Sequence, residues 1–217
     1  MDSLKKFIKY KIVKNSRKKI LVNKINSIIK YKKKIKITDY GSGYDNYVAK
    51  LLGKKLKKRG INCKFFCYDD FDKNYITNNS SLNFKLYKYN NNYNIQKCDY
   101  LMVNDVLHHI EGINEVKLKK IFKRFFNKTK YIILKDHFQY GIFSNFLLQF
   151  MDYVGNSYYG LKTPKKYFNK KEFDLFLEKN EFIVEKKLLN VRYYSKFFLF
   201  LSNPKLHFIY LIKESHK

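Results

Sequence analysis

Four places along the chain gather residue types that can do chemistry. The first is Asp39-Tyr40-Gly41-Ser42-Gly43-Tyr44-Asp45-Asn46, which follows a short apolar run from Ile35. Its two glycines let the backbone approach a ligand closely at the start of a helix. Taken alone, the turn equally fits an ordinary strand-to-helix connection. A dinucleotide fingerprint would need glycine where Asn46 stands, and the Lys-Ser/Thr pair of a phosphate loop is absent. The second place is Tyr68-Asp69-Asp70, at the end of another apolar run. A carboxylate there can accept both hydroxyls of a ribose, and Asp69 lies 26 residues beyond Gly43, near the spacing of about 20 expected of a nucleoside site. The competing reading is a solvated turn of Asp69, Asp70 and Asp72. The third place is DYLMVNDVLHHIEG (99–112), where Asn104, Asp105, His108 and His109 follow an apolar strand. The fourth is Lys135-Asp136-His137, with Asp152 and Asn156 further on in MDYVGN. Imidazoles change charge near neutral pH, so histidines at strand ends are natural proton acceptors. His108 would point away from His109 on a helical turn and reads as structural. Cys63, Cys67 and Cys98 are odd in number and lack paired spacing, so they read as small buried apolar residues rather than as a disulfide framework or a zinc site.

The elements that must position these residues show in the periodicity. Residues 4–31 carry apolar positions at helical spacing opposite lysines, implying one or two leading helices with a break near Asn15-Ser16. Strands are expected at Ile35–Asp39, Cys63–Tyr68, Asn83–Tyr89, Tyr100–Asn104 and Tyr131–Lys135, and helices at Asn46–Lys58 and Glu115–Phe126. Asn169 can cap a further helix running to about Lys179, with Glu172 completing a capping box and Phe168 and Phe173 forming a hydrophobic staple. Gly155 and Asn156 read as a helix stop that brings Asp152 and Asn156 to one rim. Phe182–Leu189 and Leu206–Ile212 are the last strands. Strands alternating with helices require crossover connections, hence a doubly wound, mostly parallel α/β sheet with ligands at the carboxyl ends of its strands. An N-terminal helical cover (1–34) and one ligand-binding domain (35–217) account for the whole length.

The formal net charge of +28, from 46 Lys+Arg against 18 Asp+Glu, would ordinarily suggest a nucleic acid or an anionic membrane as partner. Only Arg17, Arg59, Arg124 and Arg192 are arginine, however, and the lysines run along the entire chain, a pattern better explained by compositional drift with solvated lysines. Nucleic acid is therefore permitted but not favoured. With 45% hydrophobic and 18% aromatic residues, the chain can build a core, and global disorder is excluded. No run reaches the roughly 18 apolar residues of a membrane span, and the start of the chain lacks an export signal, so a cytoplasmic setting is expected. The oligomeric state is not encoded in any readable pattern.

The ordered set DYGSGYD, then an acidic second strand end, then CDYLMVNDVLHHI resembles the class I S-adenosylmethionine-dependent methyltransferases. ILKDHF (133–138), MDYVGNSYYG (151–160) and LHFIYLIK (206–213) resemble segments of a small-molecule subgroup, so the resemblance covers roughly residues 35–213. It implies a seven-stranded Rossmann-like sheet with S-adenosylmethionine as cofactor. Gly41 and Gly43 would pass under its methionine part, Asp39 would help hold its amino group, and Asp69 would hold its ribose. Asn104 would stand near the methionine end, with Asp105 at the mouth of the acceptor pocket, and Asn90 is a weak candidate for the adenine. Asp45 departs from the family pattern by replacing the third glycine. The implied activity is methyl transfer to an O or N nucleophile of a small molecule without any metal. His137 and His109 would be the proton acceptors, Asp136 an orienting partner, and Asp152 and Asn156 residues on the acceptor side. RNA methylation, or a noncatalytic lysine-rich nucleic-acid-binding protein on the same fold, are the alternatives.

Overall fold

The computed structural model describes residues 15–43, 45–70, 84–88, 93–156, 163–193 and 203–215. The element order is α1 (Asn15–Ile28), β1 (Lys34–Tyr40), α2 (Tyr47–Lys58), β2 (Asn62–Asp69), β3 (Phe84–Lys88), β4 (Cys98–Asn104), α3 (Glu115–Phe126), β5 (Thr129–Gln139), α4 (Ile142–Asn156), β6 (Phe168–Asn169), α5 (Lys170–Lys179), β7 (Phe182–Leu189) and β8 (His207–Glu214). Single turns of 3-10 helix stand at Leu107–His109 and Pro204–Leu206.

The sheet runs β3-β2-β1-β4-β5-β8-β7, and the two-residue β6 pairs with β5. The first five strands are mutually parallel, and β8 inserts antiparallel between β5 and β7. This is the doubly wound, mostly parallel seven-stranded sheet expected from the sequence, with one very short added strand. Chain order reverses between β1 and β4, so their carboxyl ends flank the crevice where ligands bind in open α/β sheets.

Each face has its own core. On one, Leu118, Phe122 and Phe125 of α3 pack with Tyr40, Leu101, Val103 and Ile132. On the other, Leu21, Val22 and Ile25 of α1 and Leu52 and Leu56 of α2 pack with Ile37, Met102, Ile133 and Leu211. The Arg59 guanidinium then closes the end of α1, donating to the Asn26 carbonyl at 2.7 Å and the Ile29 carbonyl at 3.1 Å, which satisfies acceptors that a helix end leaves without partners. Of the expected box on α5, the Asn169 cap and the Phe168–Phe173 staple are present. Asn169 Oδ1 accepts from the Lys171 and Glu172 amides, and the Phe168 and Phe173 rings lie 5.1 Å apart.

One boundary differs from expectation in a way that matters. β5 continues through Asp136, His137 and Phe138 to Gln139, paired with β8 by His137↔His207 and Asp136↔Phe208. The polar triplet is therefore buried strand, not a strand exit, and it remains buried because its members bond to one another and to neighbouring strands. α4 runs through Gly155 to Asn156, the last described residue before 163. Residues 4–14, Asn90 and 157–162 lie outside the described residues.

Candidate functional site

The site is built on the carboxyl ends of β1, β2 and β4 and on the polar half of β5. After β1 the chain turns through Gly41 (φ 86°) and Gly43 (φ 69°), conformations that favour glycine because a Cβ would crowd the following carbonyl. The amides of Gly41 and Ser42 donate to the Tyr68 carbonyl at 2.9 and 3.1 Å, binding the turn to the end of β2. Asp69 completes the tie: Oδ2 accepts the Gly43 amide at 2.6 Å and Oδ1 the Asp70 amide at 2.8 Å. Each carboxylate oxygen can accept a second bond, so Asp69 can hold the turn and still receive a diol.

Asp39 is 1% exposed. Asn104, one strand over, donates from Nδ2 to Asp39 Oδ1 at 3.4 Å. Asp39 Oδ2 and Asn104 Oδ1 are buried and have no hydrogen-bond partner among the described residues. Burial, reinforced by the nearby Asp69 charge, pushes Asp39 up to about 7. Two buried acceptors without donors are costly, and a cationic donor placed between them would relieve that cost. The ammonium of an amino acid moiety fits this chemistry, the glycine turn fits a close-lying chain, and Asp69 fits a ribose. The residues present thus suit S-adenosylmethionine at Asp39, Gly41, Gly43, Asp69 and Asn104.

Immediately after Asn104, Asp105 takes a left-handed conformation (φ 55°), and its amide donates to the Lys135 carbonyl at 2.9 Å. That bend aims its carboxylate at Lys135 Nζ and, 2.7 Å away, at Arg17 Nη2 on α1. Burial favours the neutral acid, but Lys135 and Arg17 outweigh it and hold Asp105 well below the usual carboxylate range. Burial in turn lowers the Lys135 ammonium to about 8 despite the Asp105 contact.

A second network follows on the same stretch. His108 Nδ1 lies 2.5 Å from Asp136 Oδ1, and His108 Nε2 lies 3.3 Å from Asp152 Oδ2 on α4. Burial opposes the charge on His108, yet the two carboxylates prevail and raise it to about 10; Asp136 is held down to about 2 against its own burial by the same pair. His109 reaches toward Asp152 with Nε2 at 3.8 Å, and Tyr167 donates to the same carboxylate oxygen. Burial, together with the charge on His108, holds His109 below the ordinary imidazole range. The His109 side chain keeps 20% exposure while that of His108 has none.

The structure thus brings together His109, Asp136 and Asp152, and separately Asp39, Gly41, Gly43, Asp69 and Asn104. His137 lies inside β5 in the same cluster, its Nδ1 3.3 Å from Asp105 Oδ1 and 3.6 Å from Asp136 Oδ1 and its ring against Lys135 and His207; burial and the Lys135 charge hold it far below the imidazole range. Asn156 is the last residue of α4. Sequence reasoning missed His108, read as structural, and also Lys135, Arg17 and Tyr167. The signal for His108 is its pairing with Asp136, but that partnership spans 28 positions and no local rule finds it.

No protein-family model and no curated protein matches the chain. Solved structures do. The mitomycin 7-O-methyltransferase MmcR superposes with a TM-score of 0.59 at 13% identity, over 89% of this chain and 52% of its own. An O-methyltransferase family 2 protein from Planctomyces limnophilus DSM 3776, in complex with apigenin, gives 0.60 at 8% identity, over 93% and 61%. Human N-acetylserotonin methyltransferase in complex with SAM gives 0.56 at 12% identity, over 92% and 51%. The chain therefore spans about half to three-fifths of the length of these proteins and has the fold of their class I methyltransferase portion.

Proposed function

We propose that the protein is an S-adenosylmethionine-dependent methyltransferase acting on an oxygen or nitrogen nucleophile of a small molecule. The observation that carries this reading is the pair of buried acceptors, Asp39 Oδ2 and Asn104 Oδ1, beside a glycine turn fastened to Asp69. When bound, the cofactor supplies an activated methyl on a sulfonium that departs as a neutral thioether.

The chain's own residues then have few tasks, because displacement at a sulfonium depends mainly on alignment and exclusion of water. Asp39 and Asn104 hold the ammonium end, and Asp69 holds the sugar. His109, neutral at physiological pH and partly exposed, takes the proton lost by the acceptor. Asp152 is placed to stabilise the imidazolium so formed, since it stands beside His109 Nε2. His108 and Asp136 act as positioning residues: the buried cation fixes Asp152 from one side while Asp136 fixes the ring of His108. Asp105, held by Lys135 and Arg17, would face the acceptor beside Asn104. The direct test is a cofactor-turnover assay, reading S-adenosylhomocysteine release across pools of hydroxylated and amine-bearing metabolites. Acceptor-dependent release by the wild type, lost in His109→Asn with cofactor binding retained, supports the assignment. No release from any pool by a protein that binds the cofactor refutes it.

A further inference from the structure

The opposite end of the sheet carries a feature that this reading leaves unused. At the amino ends of β1, β2 and β4 lies a concavity of about 640 Å³ lined by Lys32, Lys34, Lys36, Lys64, Lys97 and Asp99, among others. At the other end of β1, Tyr40 is covered by α3, its ring centre 5.4 Å from that of Phe125. Lys34 and Lys36 alternate with buried Ile35 and Ile37, so both project from one face of β1, and both are exposed.

The charges within it are not balanced. Lys36 is directly in register with Lys64 on β2, as Lys34 is with Asn62. Like charges on directly paired strand positions repel, a placement that destabilises a sheet. The one carboxylate lining the concavity, Asp99, is already engaged: Lys32 Nζ lies 2.7 Å from Oδ1, and the Lys36 amide donates to Oδ2 at 2.8 Å. Lys34, Lys36, Lys64 and Lys97 form no ion pair among the described residues, and Lys64 is oriented by the face of Phe66, 5.6 Å from the ring centre.

We propose that this concavity binds a compact anion bearing several phosphate groups, whose charges would sit among the four ammonium groups and relieve their repulsion. Lysine suits this role as a point-charge phosphate binder, and the volume suits a ligand of small-molecule size. Lys34 and Asp39 stand at opposite ends of β1, separated by five residues at about 3.3 Å rise each, so the site is distinct from the cofactor crevice and both can be filled together.

The test is calorimetric titration of the full chain with inorganic tripolyphosphate, using orthophosphate as the single-phosphate control and a single-stranded RNA oligonucleotide as competitor. Two charge-assisted contacts are lost in Lys36→Gln/Lys64→Gln, so its affinity should fall by about tenfold or more. Lys119→Gln/Lys120→Gln removes the same charge from exposed positions on α3 and should change affinity less than about twofold. Should the first variant not fold, Lys34→Gln/Lys97→Gln makes the same test. Saturable one-to-one binding of tripolyphosphate that follows this pattern supports the site. Equal weakening in both double variants, equal affinity for orthophosphate, or RNA binding that tripolyphosphate does not displace overturns it.

Discussion

His108 and Asp136 form an ion pair 2.5 Å long in which neither side chain has any exposed surface. Two ionisable groups so deeply buried are each expensive alone, and each is tolerated because the other is there. Asp136 also accepts the His137 amide at 2.7 Å, so the pair is joined to the β5 backbone as well as to Asp152.

Removing one partner should therefore cost more than a surface mutation. Asp136→Asn is expected to destabilise the fold by about 3 to 5 kcal/mol, as for breaking a buried pair on one side. Urea unfolding of the two proteins at neutral pH measures it, and a loss below about 1 kcal/mol would mean that the pair is not charged.

The same pair sets a pH window. His108 is raised to about 10 from 6.5, so its contribution is complete below 6.5 and is lost as pH climbs through 10. Asp136 is lowered to about 2 from 3.8, so its contribution is complete above 3.8 and is lost as pH falls through 2. The unfolding free energy of the wild type should consequently decline between pH 7 and 10 relative to that of His108→Gln. Parallel curves for the two proteins over that range would contradict the assignment.

Much of the architecture was legible in the sequence because it rests on local patterns. Short apolar runs give β1 and β2, helical spacing gives α3 to the residue, and Asn169 with Glu172 gives the start of α5. The β1 turn and Asp69 were legible for the same reason. The end of β5 was not. Asp136 and His137 look like loop residues to any local rule, and only their partners on the turn after β4 and on β8 explain why they are inside. His108 was misjudged for the related reason that its orientation follows from a 3-10 turn rather than from an α-helix. The lysine concavity was invisible because lysines occur everywhere in this chain, and only strand register shows which of them stand side by side.

Asp39 should make cofactor binding depend on pH. It titrates near 7 when the crevice is empty, and a bound ammonium requires its carboxylate form, so binding must expel a proton at lower pH. The affinity for S-adenosylhomocysteine should fall by up to about tenfold per unit below pH 7 and level off above it. Asp39→Asn should bind weakly with a flat profile. Calorimetry at pH 5.5, 6.5 and 8 distinguishes the two, and an equally flat wild-type profile would remove Asp39 from the ammonium site.

His109 should matter for turnover and little for cofactor affinity. His109→Asn keeps a polar side chain of similar reach but cannot accept the proton, and general-base loss of this kind lowers kcat by about 10² to 10⁴. His137→Asn, inside β5 and away from the partly exposed imidazole, should act on stability instead. Steady-state kinetics beside thermal unfolding separates them; a reversal of the two effects would reassign the base.

The most direct measurement of the central claim is calorimetric titration of S-adenosylhomocysteine into the wild type and into Asp69→Ala. One equivalent should bind to the wild type, and the variant should bind at least about tenfold more weakly, because it loses the diol contact and the Gly43 anchor together. A wild-type protein that takes up no S-adenosylhomocysteine, or a variant that binds it equally well, would contradict the account.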